Sequence, residues 1–115
     1  MMTSPPRLKT SVRVSAHARR ARGEGAFATV ARHGDDDAGA VIVKVFLGRG
    51  GDGAPRAIAH FESILDNGAR GWRVALDGPA PEADVDAWIA RQVDRDPDLW
   101  VLEIEDAGGR AFLID

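Results

Sequence analysis

The chain contains no cysteine. That excludes disulfides, thiolate metal sites and cysteine nucleophiles, and it fits a reducing compartment such as the cytoplasm. Tyrosine is absent too, so three tryptophans and four phenylalanines carry all the aromatic character. Lysine is nearly missing: Lys9 and Lys44 stand among fifteen basic residues, and the rest are arginine, a skew that fits a GC-rich genome. No apolar run approaches the roughly 20 residues that a membrane span needs. The start, Met-Met-Thr-Ser-Pro-Pro-Arg, has no apolar stretch behind a positive one, so no signal peptide is read. His17, His33 and His60 are isolated from one another. They have neither compact metal-ligand spacing nor a G-x-S-x-G nucleophile setting nearby.

What is present suits a globular fold. The 115 residues are 44% hydrophobic and 29% charged, which implies one domain able to bury about two-thirds of its unfolded surface. The formal charge of -3 hides a split. Residues 1–33 hold seven Lys/Arg against Glu24, whereas residues 34–115 hold eight against seventeen Asp/Glu. Either the two parts meet and neutralise each other in the fold, or a basic face is left for an acidic partner.

Along the chain, residues 1–7 read as a loose tail and residues 8–115 as a single α+β domain. Leu8, Thr10, Val12 and Val14 alternate with polar residues, which predicts a strand. Ser15 then caps a short helix over Ala16–Arg22, with Arg19, Arg20 and Arg22 at its negative end. Ala26–His33 reads as a strand, Gly34–Gly39 as a turn, and the valine-rich Ala40–Leu47 as the central strand. Arg56–Leu65 alternates, with Ala57, Ala59, Phe61 and Leu65 inward and Glu62 outward. Gly71–Asp77 follows as a strand after the Asn67-Gly68 turn. Pro81 opens a helix whose Val85, Trp88, Ile89 and Val93 form one apolar stripe. That helix stops near Arg95, because Pro97 pushes Asp96 out of the α region. Leu99–Glu105 and Arg110–Ile114 are the last strands. The expected order is β-α-β-β-β-β-α-β-β, a largely antiparallel sheet with two helices packed on one face.

Four patterns invite chemistry. Gly48-Arg49-Gly50-Gly51-Asp52-Gly53 spells G-x-G-x-x-G, but Pro55 and an alternating strand follow where a dinucleotide site needs a helix. Asp35-Asp36-Asp37 lacks the glycine and glutamate of a calcium loop. Arg19, Arg20 and Arg22 could hold phosphate, yet the chain is acidic and no stacking aromatic lies beside them, so nucleic acid is disfavoured. The segment Asp94–Asp106 crowds six carboxylates into thirteen residues. Asp96, Asp98, Glu103 and Glu105 could serve a metal-dependent enzyme if they converge. The plainer reading makes Trp100, Leu102 and Ile104 core, Glu103 and Glu105 a wet strand face, and Asp96 and Asp98 caps of a helix stop.

Three stretches together carry a resemblance. They are Gly34-Asp35-x-Asp37-Ala38-Gly39-Ala40, Trp72-x-x-Ala75-Leu76-Asp77-Gly78-Pro79, and Asp96-Pro97-Asp98-Leu99-Trp100-Val101-x-Glu103-Ile104-Glu105-Asp106. From about Leu8 to Leu113 the chain resembles a family of small alphaproteobacterial proteins known only as a domain of unknown function. The resemblance implies a bacterial, cytoplasmic protein and transfers no catalytic residue. The glycine-rich loop at Gly48–Pro55 departs from the family pattern. With no catalytic constellation or cofactor in view, the reading is a non-enzymatic protein-interaction module that binds another protein or a second copy of itself as a homodimer. Its candidate contact or structural residues are Arg19, Arg20, Arg22, Trp88, Asp96, Asp98, Trp100, Glu103 and Glu105. The alternatives are the carboxylate enzyme and a nucleic-acid accessory protein using the three arginines.

Overall fold

A computed structural model describes residues 8–64 and 66–114. The expected tail at 1–7 and the inward placement of Leu65 lie outside the described residues. The elements run α1 (Thr10–Gly23), β1 (Phe27–Arg32), β2 (Val41–Arg49), β3 (Pro55–Ile64), β4 (Arg70–Val74), a 3-10 turn (Ala75–Asp77), β5 (Ala80–Pro81), α2 (Glu82–Arg95) and β6 (Trp100–Glu105). The sheet order is β1-β6-β2-β3-β4, with β5 pairing β3. All pairings are antiparallel except that of β6 with β2. The α+β class and the largely antiparallel sheet are as expected. So are the central place of β2 and the helix stop at Asp96.

The predicted element order fails at both ends. Residues 8–14 do not form a strand: the chain is helical from Thr10 without a break to Gly23, and Ser15 is an exposed residue inside that helix rather than its cap. Thr10, Val14, His17, Ala18 and Ala21 are buried, a helical stripe that the alternation of Thr10, Val12 and Val14 had masked. The helix start is capped from outside. Ser11 N–H donates to the Asp36 carbonyl (3.0 Å), and Thr10 Oγ1 donates to the Gly39 carbonyl (2.9 Å). Arg110–Ile114 is not a strand either, since Gly109 (φ 69°) and Phe112 (φ 57°) turn the backbone out of extended geometry. Side chains hold it instead: His17 donates to Ala111 O, Arg20 to Phe112 O and Trp72 Nε1 to Ile114 O.

The two helices do not share a face. In β2, Val41, Val43 and Val45 pack with Val14, Ala18 and Ala21 of α1, together with Trp100, Leu102 and Ile104 of β6. Ile42 points the other way, to Val85 of α2 with Ala57 and Ala59 of β3, and Trp88, Ile89 and Val93 close that side. Side chains alternate along a strand, so the run Val41–Leu47, apolar at every position but Lys44, already required cover on both faces. The architecture is helix–sheet–helix. Glu62, expected outward, lies beneath α1, where it accepts from Val41 N–H (3.1 Å) and pairs with Arg13.

Candidate functional site

The segment Asp94–Asp106 is a joint. Asp96 closes α2 through its N–H to Gln92 O, and its carboxylate accepts the Asp98 N–H at 3.1 Å. Arg32 donates to Pro97 O. The Asp98 carbonyl then sits between two glycines. A Cβ on Gly34 or Gly39 would overlap that oxygen and fall 2.6 or 2.9 Å from Trp100 Cδ1. Asp35 N–H donates to Asp98 O (2.9 Å), and Trp100 Nε1 donates back to Asp35 O (2.7 Å). The His33 ring lies 4.1 Å from that of Trp100, centroid to centroid. The Asp35 carboxylate caps the N–H groups of Asp37 and Ala38, both at 3.0 Å, and so fixes the loop whose carbonyls cap α1. Two of the sequence motifs are thus two halves of one knot that ties α1, α2 and β6 together.

The six carboxylates of the segment do not converge. Asp96 is engaged in its turn, Glu103 leans toward Lys44 (3.6 Å), and Glu105 is exposed at the end of β6. Asp98 acts through its carbonyl. Asp106 stands apart, where Arg110 and the N–H groups of Gly108 and Arg110 bind its carboxylate and hold it down to about 2. Among the described residues no three Asp, Glu or His side chains are gathered as a metal site. The arginines are also engaged singly: Arg20 bonds Phe112 O, Arg22 bonds Ala28 O at 3.2 and 2.6 Å, and Arg19 is exposed on α1. Trp88 stacks at 5.4 Å on Phe61 beside a depression of about 190 Å³, below the roughly 300 Å³ at which ligand cavities begin.

Lys44 is a site residue the sequence reading missed. It is 6% exposed in the middle of β2, and its ammonium meets Asp86 (2.7 Å), Glu82 (2.9 Å) and Glu103 (3.6 Å). Burial opposes its charge, but the bonds to Asp86 and Glu82 and the field of Glu103 outweigh that and raise its pKa above 10.5. The signal was available: one lysine in an apolar central strand, and two carboxylates, Glu82 and Asp86, four residues apart on one face at the start of α2.

Beside that cluster the sheet is bare. Register places Phe27, Glu105 and Phe46 in one row across β1, β6 and β2, with Thr29, Glu103 and Lys44 in the next. These side chains share the face that carries α2, yet α2 lies over β3, β5 and Lys44. Phe27 is 76% exposed, Phe46 is half-buried, and Thr29 and Glu105 are exposed. The opposite face of the sheet is covered by α1 and by Ala111–Leu113.

Fold and site define a small helix–sheet–helix α+β domain with an uncovered, acid-rimmed aromatic row on one half-face. The chain belongs to the DUF1491 family of proteins of unknown function, whose profile matches residues 8–114. A DUF1491 protein from Caulobacter crescentus, solved by crystallography, is 43% identical with a TM-score of 0.83, covering 95% of this chain and 97% of that one. The NMR structure of a DUF1491 protein from the same organism is 42% identical with a TM-score of 0.77, covering 96% of each. The solution structure of a protein from A. tumefaciens is 31% identical with a TM-score of 0.70, covering 96% of this chain and 97% of that one. No curated protein matches. The resemblance read from the three motifs is therefore the right family.

Proposed function

We propose that this chain is a protein-interaction module and that its contact surface is the uncovered sheet face around Phe27. The observation that carries the reading is the row Phe27–Glu105–Phe46. A phenylalanine 76% exposed on a rigid strand, beside a second half-buried one, keeps apolar surface in water that a partner would remove. Cross-strand pairing already fixes the backbone that carries both rings, so binding costs little backbone ordering entropy there. The carboxylate-enzyme reading is weaker, because Asp96 is bound into a turn and Glu103 is drawn to Lys44. The nucleic-acid reading is weaker too, because Arg20 and Arg22 are bonded to backbone carbonyls. No helix among the described residues is long and apolar enough to cross a membrane. The cysteine-free sequence supports a place in the cytoplasm.

The test is a photo-crosslinking residue at position 27, with one at position 67 on the far hairpin turn as control, in the cells that make the protein. A discrete protein adduct at 27 and none at 67 is expected, and an adduct of twice the chain mass would mean a second copy. No adduct at 27 above the control refutes the reading.

A further inference from the structure

We infer that the element received on this face is an amphipathic helix of the partner, with Lys or Arg beside its apolar stripe, lying alongside α2. The inference rests on the reading that the face binds protein, and it adds what the bound element must be.

Three observations lead there. First, the sheet edge that borders this bare row is guarded. β1 is an edge strand, and the Arg22 guanidinium places two hydrogen bonds, 3.2 and 2.6 Å, on its Ala28 carbonyl. A peptide adding as a further strand would have to displace that arginine, so the face is favoured over the edge. Second, the face is already half used for helix packing. Neighbouring strands are about 4.8 Å apart, so five strands span roughly 20 Å, and a helix is about 10 Å across. One helix covers half of such a sheet, and α2 takes the half formed by β3 and β2. A second helix beside it would rest on Phe27, Thr29 and Phe46. Third, the rim is acidic. Glu105 and Glu103 stand between the strands, and Glu82 and Asp86 line the flank of α2, against the single ammonium of Lys44. Of the arginines of α1, Arg13 is paired with Glu62 and Arg20 with Phe112 O on the other side of the sheet, and Arg22 is held at the β1 edge by Ala28 O. An acidic helix would be repelled, and a helix with basic flanks would pair with Glu105 at little desolvation cost.

The experiment uses the full chain, isotope-labelled for NMR, and three peptides of one length. They share a Leu/Ala stripe and carry all-Lys, all-Glu or all-Gln flanks. The Lys-flanked peptide should shift the amides of Phe27, Thr29, Phe46, Glu103 and Glu105, with affinity falling as salt rises. Phe27→Asp should abolish the shifts. Glu105→Lys and Thr29→Lys, both at exposed positions, should each weaken binding at least tenfold. Equal binding by the Glu- or Gln-flanked peptide, shifts mapping to another surface, or no shift with any peptide would each overturn the inference. A crosslink at position 27 in cells would survive those outcomes, so loss of the helix assignment is distinguishable from loss of the interaction itself.

Discussion

Substituting Gly34 with alanine isolates the knot at Asp98. The new methyl group would overlap the Asp98 carbonyl oxygen and lie 2.6 Å from Trp100 Cδ1. Both are fixed: the carbonyl accepts Asp35 N–H, and the indole donates to Asp35 O. The loop must therefore move away from β6. Two hydrogen bonds weaken, each about 1 kcal/mol, and forcing volume into a packed site adds about 1–3 kcal/mol. The expected loss is about 3–5 kcal/mol, a large part of the 5–15 kcal/mol typical of a domain. With a urea m-value of about 1.5 kcal/mol/M, the midpoint falls by about 2–3 M. Gly23→Ala is the control. It has nothing within 4 Å and ends α1, so alanine there should be neutral or stabilise by up to about 1 kcal/mol. Equilibrium urea unfolding by circular dichroism, with the Trp100 indole proton followed by NMR, reads both. If Gly34→Ala unfolds within about 1 kcal/mol of the wild type, the knot does not bear on stability as argued.

Other outcomes follow from the same contacts. Lys44→Met should cost about 1–2 kcal/mol at pH 7, below the loss for breaking a fully buried pair because Asp86 and Glu103 are well exposed. In the wild type the raised Lys44 pKa makes its contribution complete below 10.5 and lost as pH climbs through the folded value. Burial lowers the pKa of His17 and of His60 from 6.5, so the unfolded chain gains protons first and stability falls as pH drops below 6.5. His17→Gln, which keeps a donor for Ala111 O, should flatten that slope in urea titrations across pH 5–7, and an unchanged slope would remove His17 from the account. Phe27→Asp should leave the unfolding free energy in urea titrations within about 0.5 kcal/mol of wild type, because the ring is mostly in water. A larger loss would make Phe27 a packing residue and undercut its proposed role.

Legibility in the sequence followed how local the physics was. β2 and β3, α2 and its stop at Pro97 were readable because periodicity, proline and turn chemistry act within a few residues. The first helix was not. Thr10, Val12 and Val14 are β-branched and alternate, so every local rule points to a strand. Capping groups from Asp36 and Gly39, together with burial of Val14 against β2, override it. The C-terminal segment fails for a related reason: Phe112 at φ 57° is held by Arg20, and neither residue announces the other. The one-face placement of the helices was avoidable, since a strand buried as Val41–Val45 is needs two covered faces. Of the named candidates, Trp100 is core as expected, and Arg20, Arg22 and Asp96 are structural donors and caps. The bare face could not be seen, because it depends on β6 lying between β1 and β2.

That distinction bears on where function should be sought. The distinctive motifs, Gly34–Ala40 and Asp96–Trp100, are explained once the Asp98 carbonyl is seen between two glycines and the Trp100 indole in the loop. Each unusual residue there meets a steric or hydrogen-bonding demand of the fold, so its presence is no evidence of a site. Phe27 and Glu105 are the converse. Neither satisfies a packing or hydrogen-bonding demand of the chain itself, and they are brought together only because β6 pairs with β1. A fold that covers one side of its sheet with α1 and the C-terminal segment, then leaves an aromatic row bare on the other, stays incomplete there by its own packing rules. A partner that covers this row would complete the pattern with no rearrangement of the knot, the Lys44 cluster or either helix.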